Sequence, residues 1–147
     1  MKKVTIMRGI PGSGKSTWIE NNCCSDPTYA VSADDYFTDI ETGEYRFDST
    51  KLPLAHNVCL QRFLALLNSG VTSIVVDNTN VRTFEIAPYY RLAEIFGYEV
   101  EVIWLVCDPS VAVARSIHGV PENLVRSMAV SFDPLPAWWN VRIVSVS

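Results

Sequence analysis

Cysteine, histidine and charge are all scarce in these 147 residues, and each scarcity closes off a class of function. The four cysteines, Cys23, Cys24, Cys59 and Cys107, form no C-x-x-C pair and have no histidine at zinc-finger spacing, so neither a structural zinc site nor a disulfide framework is expected. Reduced, mostly buried thiols are expected instead, and with them an intracellular, cytoplasmic protein. Charged residues make up only 19% of the chain, and 12 basic against 16 acidic side chains leave a net charge of −4. Such a field repels a polyanion unless a local basic pocket intervenes. Long hydrophobic runs are missing too: nothing approaches the ~20 apolar residues that span a bilayer, so no membrane association is expected. The opening MKKVTIMRG gives way to Arg8 and a glycine turn where an export peptide would stay apolar. Repeats, linkers and low-complexity tracts are absent as well. What remains is 48% apolar residues in a length that suits one domain, residues 1–147, folding without a metal staple and with no obligate protein partner evident.

Strand and helix patterns alternate along the chain. KVTIMR at 3–8 reads as a buried strand, followed by a glycine turn and a helix from Lys15 through Trp18 and Ile19. Residues 29–32 form a short second strand, and the polar, aromatic stretch ADDYFTDIETGEYRFDS then has the profile of a functional loop. Ser49 or Thr50 caps a long helix, with Val58, Leu60, Phe63, Leu64 and Leu67 along its inner side, until Gly70 stops it. TSIVVD at 72–77 is a strand covered on both faces, and a helix over 83–96 is ended by Gly97. YEVEVIWLV at 98–106, helices over 109–117 and 121–131, and WWNVRIVSV at 138–146 complete the series, with Trp138 and Trp139 expected to seal the last strand. The order predicts an α/β fold: three α/β/α layers around a central parallel sheet joined by right-handed crossovers. Ligands in such sheets lie off the carboxyl ends of the strands. The turns 9–15, 33–38, 77–82 and 107–121 all fall there.

Gly9-Ile10-Pro11-Gly12-Ser13-Gly14-Lys15-Ser16 fits the P-loop pattern, a glycine, any four residues, then glycine, lysine and serine or threonine, between a strand and a helix as the mechanism requires. Gly12 and Gly14 permit the torsions that turn successive N–H groups inward, Ser13 among them, and the helix N-terminus adds partial positive charge. Lys15 then meets the β- and γ-phosphates of ATP, Ser16 ligates a bridging Mg²⁺, and Thr17 reaches the α-phosphate. Asp77, at the end of the adjacent strand, is the second candidate for the Mg²⁺, unless it merely caps the turn made by Asn78-Thr79-Asn80.

A phosphate loop does not say where the γ-phosphoryl group goes. Transfer to an alcohol needs a carboxylate to take its proton, whereas GTPases place a glutamine on water and carry N-K-x-D. N-K-x-D is absent here, and Gln61 lies mid-helix. Asp34-Asp35 follows the second strand and faces the phosphate loop in this architecture; adjacent residues cannot both point one way, so one serves the acceptor and the other the backbone. In order, GIPGSGKSTW, SADDYF, VVDNTN and HGVPENLVRSM resemble the polynucleotide 5′-kinase family, typified by the bacteriophage kinase domain, together with related small zeta-toxin-like and AAA-type P-loop kinases, over residues 4 to about 132. The resemblance implies that Lys15 and Ser16 are the phosphate and magnesium residues, that Asp35 is the general base, that Arg126 steadies the transferring phosphoryl group, and that the P-loop strand is central in the sheet.

The chain also departs from that family. An arginine expected three residues after the base, where it would hold the phosphate of a nucleic-acid acceptor, is Thr38 here, and no phosphatase domain is expected after the kinase. RSIHGVP is short, so Arg115 and His118 form at most a small lid over the nucleotide, with Arg115 stacking on adenine or touching phosphate. Arg82 is either a substitute acceptor contact or a helix-start residue. Tyr36, Phe37, Tyr45 and Phe47 either stack a base or pack their loop down, and His56 reads as an ordinary helix histidine. The acceptor implied is a nucleic-acid 5′ end. The alternatives are a nucleoside, a hydroxymethyl-modified base in DNA, or, in another class, a nucleotide-gated binding module without transfer.

Overall fold

The computed structural model describes residues 1–23, 27–115 and 119–147. Cys24 and His118 therefore lie outside the described residues. Five strands, β1 (Lys3–Arg8), β2 (Tyr29–Val31), β3 (Ser73–Asp77), β4 (Glu99–Cys107) and β5 (Val141–Val146), form one all-parallel sheet in the order β2-β3-β1-β4-β5. The P-loop strand is central, as the family resemblance implies. Helices α1 (Lys15–Asn22), α2 (Leu52–Ser69), α3 (Thr83–Ile95), α4 (Pro109–Arg115) and α5 (Glu122–Ala129) make the crossovers.

Alternation within the central strands fixes which helix each face meets. Val4, Ile6, Ile74, Val76 and Val102 point to the side of α2 and α3, where they pack with Phe63, Leu67, Ile86, Tyr89 and Tyr90. Met7, Val75, Ile103 and Leu105 point to the other side, against Trp18 and Ile19 of α1. β1 registers Met7 opposite Asp77, so the P-loop and the end of β3 leave the sheet at the same level. Gly70 closes α2 in the left-handed region at φ 72°.

Details correct the expected packing. The long helix is preceded by a 3-10 turn, Ser49–Lys51, whose cap is Asp48 rather than Ser49 or Thr50. Its buried face is Ala55, Cys59, Phe63 and Leu67, because the repeat of four selects these and leaves Leu64 exposed. Pro121 is the N-cap of α5, one place before the first helical turn. Of the three described thiols only Cys59 is buried, whereas Cys23 and Cys107 are half-buried. Trp139 stacks on Tyr90 with ring centroids 4.6 Å apart, and the Asn140 N–H donates to the Tyr90 hydroxyl at 2.8 Å, which pins the start of β5. Trp138 does not join it: residues 137–139 turn ahead of β5, with Trp139 N–H on Pro136 O at 3.1 Å, so the strand starts at Val141 rather than 138 and Trp138 stands 82% exposed.

Candidate nucleotide and acceptor site

The P-loop leaves β1 at Gly9, whose N–H donates to Thr79 O at 3.1 Å, and turns back through Ser13 N–H to Ile10 O. Gly12 and Gly14 take φ of 80° and 95°, the left-handed region in which a Cβ is strained. At Gly12 there is also no room for one, since an added Cβ would lie 2.0 Å from the Ala112 carbonyl oxygen. The loop is thus clamped against α4, with Ile10, Ala112 and Val125 forming a small core between loop, α4 and α5. Ser13 is buried, and its hydroxyl has no hydrogen-bond partner among the described residues. The hydroxyls of Ser16 and Thr17 belong to exposed residues at the first turn of α1.

Lys15 folds back over the loop, donating to Gly9 O at 3.1 Å and Ile10 O at 3.2 Å. Desolvation pulls its ammonium below the usual lysine range, against the opposing charges of Asp77 and then Asp34. Asp77 is its counterpart. Burial pushes that carboxyl above the usual carboxylate range, Lys15 opposes, and the charges of Asp34 and Asp35 push it further. A half-buried carboxylate short of positive charge, beside an exposed serine hydroxyl at a helix start, is an oxygen donor set suited to a hard divalent cation. Ser16 and Asp77 therefore fit Mg²⁺.

Asp34 and Asp35 sit in a 3-10 turn, Ala33–Phe37, capped by Ser32, whose hydroxyl accepts from Asp34 N–H at 3.2 Å. The expectation put the acceptor-facing carboxylate at Asp35. Both carboxylates are exposed; the charge of Asp34 acts on Lys15 and Asp77, and that of Asp35 on Asp77 and Cys59. Asp34 is held from beyond the turn by the Tyr45 hydroxyl, which donates to its Oδ1 at 3.1 Å. Burial, and then Asp34, raises the Tyr45 phenol to about 12, so it remains a donor. Tyr36, Tyr45 and Phe47 set their rings edge-on around Phe37, 5.1–6.3 Å between centroids, which is the loop-packing alternative. Phe37 itself is 6% exposed.

The arginines are engaged elsewhere. Arg126 donates through Nε to Glu122 and through a terminal nitrogen to Ser110 Oγ, both at 2.9 Å, so it bridges α5 to α4. Arg115 donates to the backbone oxygen of Ser147 at 2.6 Å, beside the end of β5. Arg82 pairs with Asp133 at 3.1 Å and starts α3, with its N–H on Glu85. The structure thus gathers Gly12, Ser13, Gly14, Lys15, Ser16 and Thr17 in one loop near Asp77, whose carboxyl feels Lys15, Asp34 and Asp35, and leaves Arg115 bonded to Ser147 and Arg126 to Glu122 and Ser110.

Two further residues contribute, and one of them, Arg8, lies in no motif. Arg8 is fully buried against the rings of Trp104 and Phe132, 4.2 and 4.8 Å from their centroids. It donates to Asn80 O at 2.9 Å, and to Val81 O and Asp133 O at 2.7 Å. Burial lowers its guanidinium to about 10, with Asp133 and Glu85 opposing, which leaves it charged at neutral pH. The only sequence signal was a lone arginine closing an apolar strand. Asn80, at φ 50° and 1% exposed, donates to Met7 O at 2.8 Å and so fastens the turn after β3 to the root of the P-loop.

Residues 4–127 match the AAA domain family, AAA_33. The chain belongs to that family. Human NEDD4-binding protein 2 is 32% identical over 130 residues, and rat YLP motif-containing protein 1 is 25% identical over 156. The match covers 85% and 90% of this chain but only 7% and 11% of those proteins. Among solved structures, a sugar kinase from Janibacter aligns with 99% of this chain and 86% of its own at TM-score 0.67 and 18% identity. A chain of the Pnkp1/Rnl/Hen1 RNA repair complex aligns with 89% of this chain and 44% of its own at TM-score 0.69 and 18% identity. These likenesses show a P-loop kinase fold. Among the described residues no helix is long and apolar enough to cross a membrane.

Proposed function

We propose that this chain transfers the γ-phosphoryl group of Mg²⁺·ATP to a hydroxyl, with Asp34 as the base. The observation that carries this is the acidic turn Ala33–Phe37, in which Asp34 is held by the Tyr45 hydroxyl and its charge acts on both Lys15 and Asp77. A pure nucleotide binder has no use for a base there. Lys15 exchanges the carbonyls of Gly9 and Ile10 for phosphate oxygens, and the N–H groups of Gly14 to Thr17 receive the rest of the anion. Ser16 and Asp77 would hold Mg²⁺, which when bound would supply positive charge against that developing on the transferring group. Asp34 takes the acceptor proton as the new O–P bond forms and the bond to ADP breaks. Arg126, once released from Glu122 and Ser110, is the guanidinium assigned to the transferring group, as the family resemblance implies.

The family resemblance supports a 5′-hydroxyl of DNA or RNA as acceptor. A specific observation favours the second reading, an acceptor without neighbouring phosphates such as a nucleoside or a sugar. The rim between residues 34 and 48 carries six carboxylates, Asp34, Asp35, Asp39, Glu41, Glu44 and Asp48, against one arginine, and Arg46 is paired with Glu44.

Labelled γ-phosphate is offered with 5′-hydroxyl DNA, 5′-hydroxyl RNA, hydroxymethyl-base DNA, nucleosides and sugars. Asp34→Asn is expected to lose transfer by at least about 10²-fold with nucleotide affinity retained, and Asp35→Asn to stay within about threefold of wild type. The reverse pattern returns the base to Asp35. A wild-type protein that binds ATP and labels no acceptor is a nucleotide-gated binding module.

A further inference from the structure

The base-bearing turn and the phosphate cradle belong to different connections, and a single buried side chain joins them. Asn78 follows Asp77 at the end of β3 and is 8% exposed. Its Oδ1 accepts the backbone N–H of Ala33 at 2.9 Å, the residue immediately before Asp34. Its Nδ2 points the other way, to Cys59 Sγ of α2 at 3.7 Å. On the same short segment, Thr79 O receives Gly9 N–H, and Asn80 holds Met7 O. Residues 77–80 therefore bear the Mg²⁺ carboxylate, anchor the P-loop root, and anchor the acceptor-side turn.

We infer that Asn78 is a positioning residue that sets the distance between the Asp34 carboxylate and the nucleotide held by Lys15, through the Asn78–Ala33 hydrogen bond. This rests on the phosphotransferase reading above. Ala33 begins the 3-10 turn, so losing this bond frees the turn's first residue, next to the carboxylate at 34, while Phe37 keeps its far end in the core and the P-loop stays held separately by Thr79 and Asn80. Reaction geometry is steep in such displacements: misplacement by about 1 Å costs on the order of 10²-fold in rate. Neighbouring Thr38 lends the turn only local bonds, from its N–H to Asp35 O and its hydroxyl to Asp34 O, so it cannot substitute for the link to β3.

The test pairs hydrogen exchange with kinetics on the full chain. Asn78→Leu, similar in volume but without the amide, is expected to speed exchange in the segment 32–38 by at least about tenfold while the segment 9–16 stays protected. With the acceptor labelled best by wild type, kcat falls by at least about tenfold while the KM for ATP stays within about threefold. Cys59→Ala perturbs the same core but leaves the Ala33 bond, and keeps wild-type exchange and kcat. Asn78→Asp retains the accepting oxygen and serves if the leucine variant does not fold; its exchange in 32–38 is expected to match wild type. Unchanged exchange at 32–38 in Asn78→Leu, equal acceleration at 9–16, a parallel rise in KM for ATP, or fast exchange at 32–38 in Asn78→Asp overturns the inference. Failure of wild type to label any acceptor instead refutes the phosphotransferase reading, and the exchange data still decide whether Asn78 tethers the turn.

Discussion

At the scale of single residues, Lys15 and Asp77 hold each other unequally. The lysine has the Gly9 and Ile10 carbonyls as well as two carboxylates, whereas the carboxyl has one cation against two further acidic groups and its own burial. Its proton affinity is therefore above that of an ordinary aspartate, and protonated Asp77 cannot ligate a cation. Affinity for Mg²⁺·ATP is thus full above its raised pKa and lost as pH falls through it, sooner than for a solvent-exposed aspartate. Calorimetric titration of Mg²⁺·ATP between about pH 5 and pH 8 checks this, with Asp77→Asn as reference so that the nucleotide's own titration cancels. The variant is expected to bind more weakly at neutral pH and to lack that acidic limb; identical profiles would remove Asp77 from the metal. Arg8 shows the opposite use of a buried charge, since its positive group is spent on three carbonyls and two ring faces, and it orders the loops around the site without meeting the phosphates.

Among elements, the P-loop depends on α4 as much as on its own glycines. Alanine at position 12 meets both strain at φ 80° and the Ala112 carbonyl. Left-handed strain alone costs about 1–3 kcal/mol, and the clash must push the loop off α4 as well. Gly12→Ala is expected to weaken ATP binding at least about tenfold and to lower the melting temperature. Gly43→Ala, at φ 73° with open space around it, is the matched control: it bears the torsional cost alone, about 1 kcal/mol or slightly more, and leaves ATP affinity unchanged. Equal affinities in the two would show that the α4 contact is irrelevant to the phosphates. The same contrast marks how far the sequence was legible. β1 and β3 were plain because KVTIMR and SIVVD are apolar on both faces, and the P-loop was plain because its torsions need glycine at fixed places. Which of Asp34 and Asp35 meets an acceptor is not legible in the sequence, because consecutive residues in a 3-10 turn differ by about 120° and the turn is tied to Asn78, forty-odd residues away. Arg8 was hidden because its partners, Trp104, Phe132 and Asp133, meet it only once β1 lies beside β4.

For the whole molecule, the deciding quantity is charge. Six carboxylates and one arginine lie between residues 34 and 48, a local charge of −5 in a chain of net charge −4, on the segment proposed to meet the acceptor. A unit charge about 10 Å away in water interacts by about 0.4 kcal/mol. Five uncompensated charges would therefore oppose one acceptor phosphate by about 2 kcal/mol at low salt, on the order of 30-fold in affinity. Salt shortens the Debye length from about 30 Å at 0.01 M to about 8 Å at 0.15 M and removes most of this. The KM for a 5′-hydroxyl oligonucleotide is accordingly expected to fall as salt rises over that range, whereas the KM for a nucleoside or sugar stays flat. Nucleic-acid sites built on lysine and arginine behave the other way, because added salt opposes counterion release and weakens binding. An oligonucleotide KM that climbs steeply with salt would mean that a basic surface gathers the strand. In that case the rim of carboxylates would not select the acceptor, and the polynucleotide reading would displace the small-alcohol one.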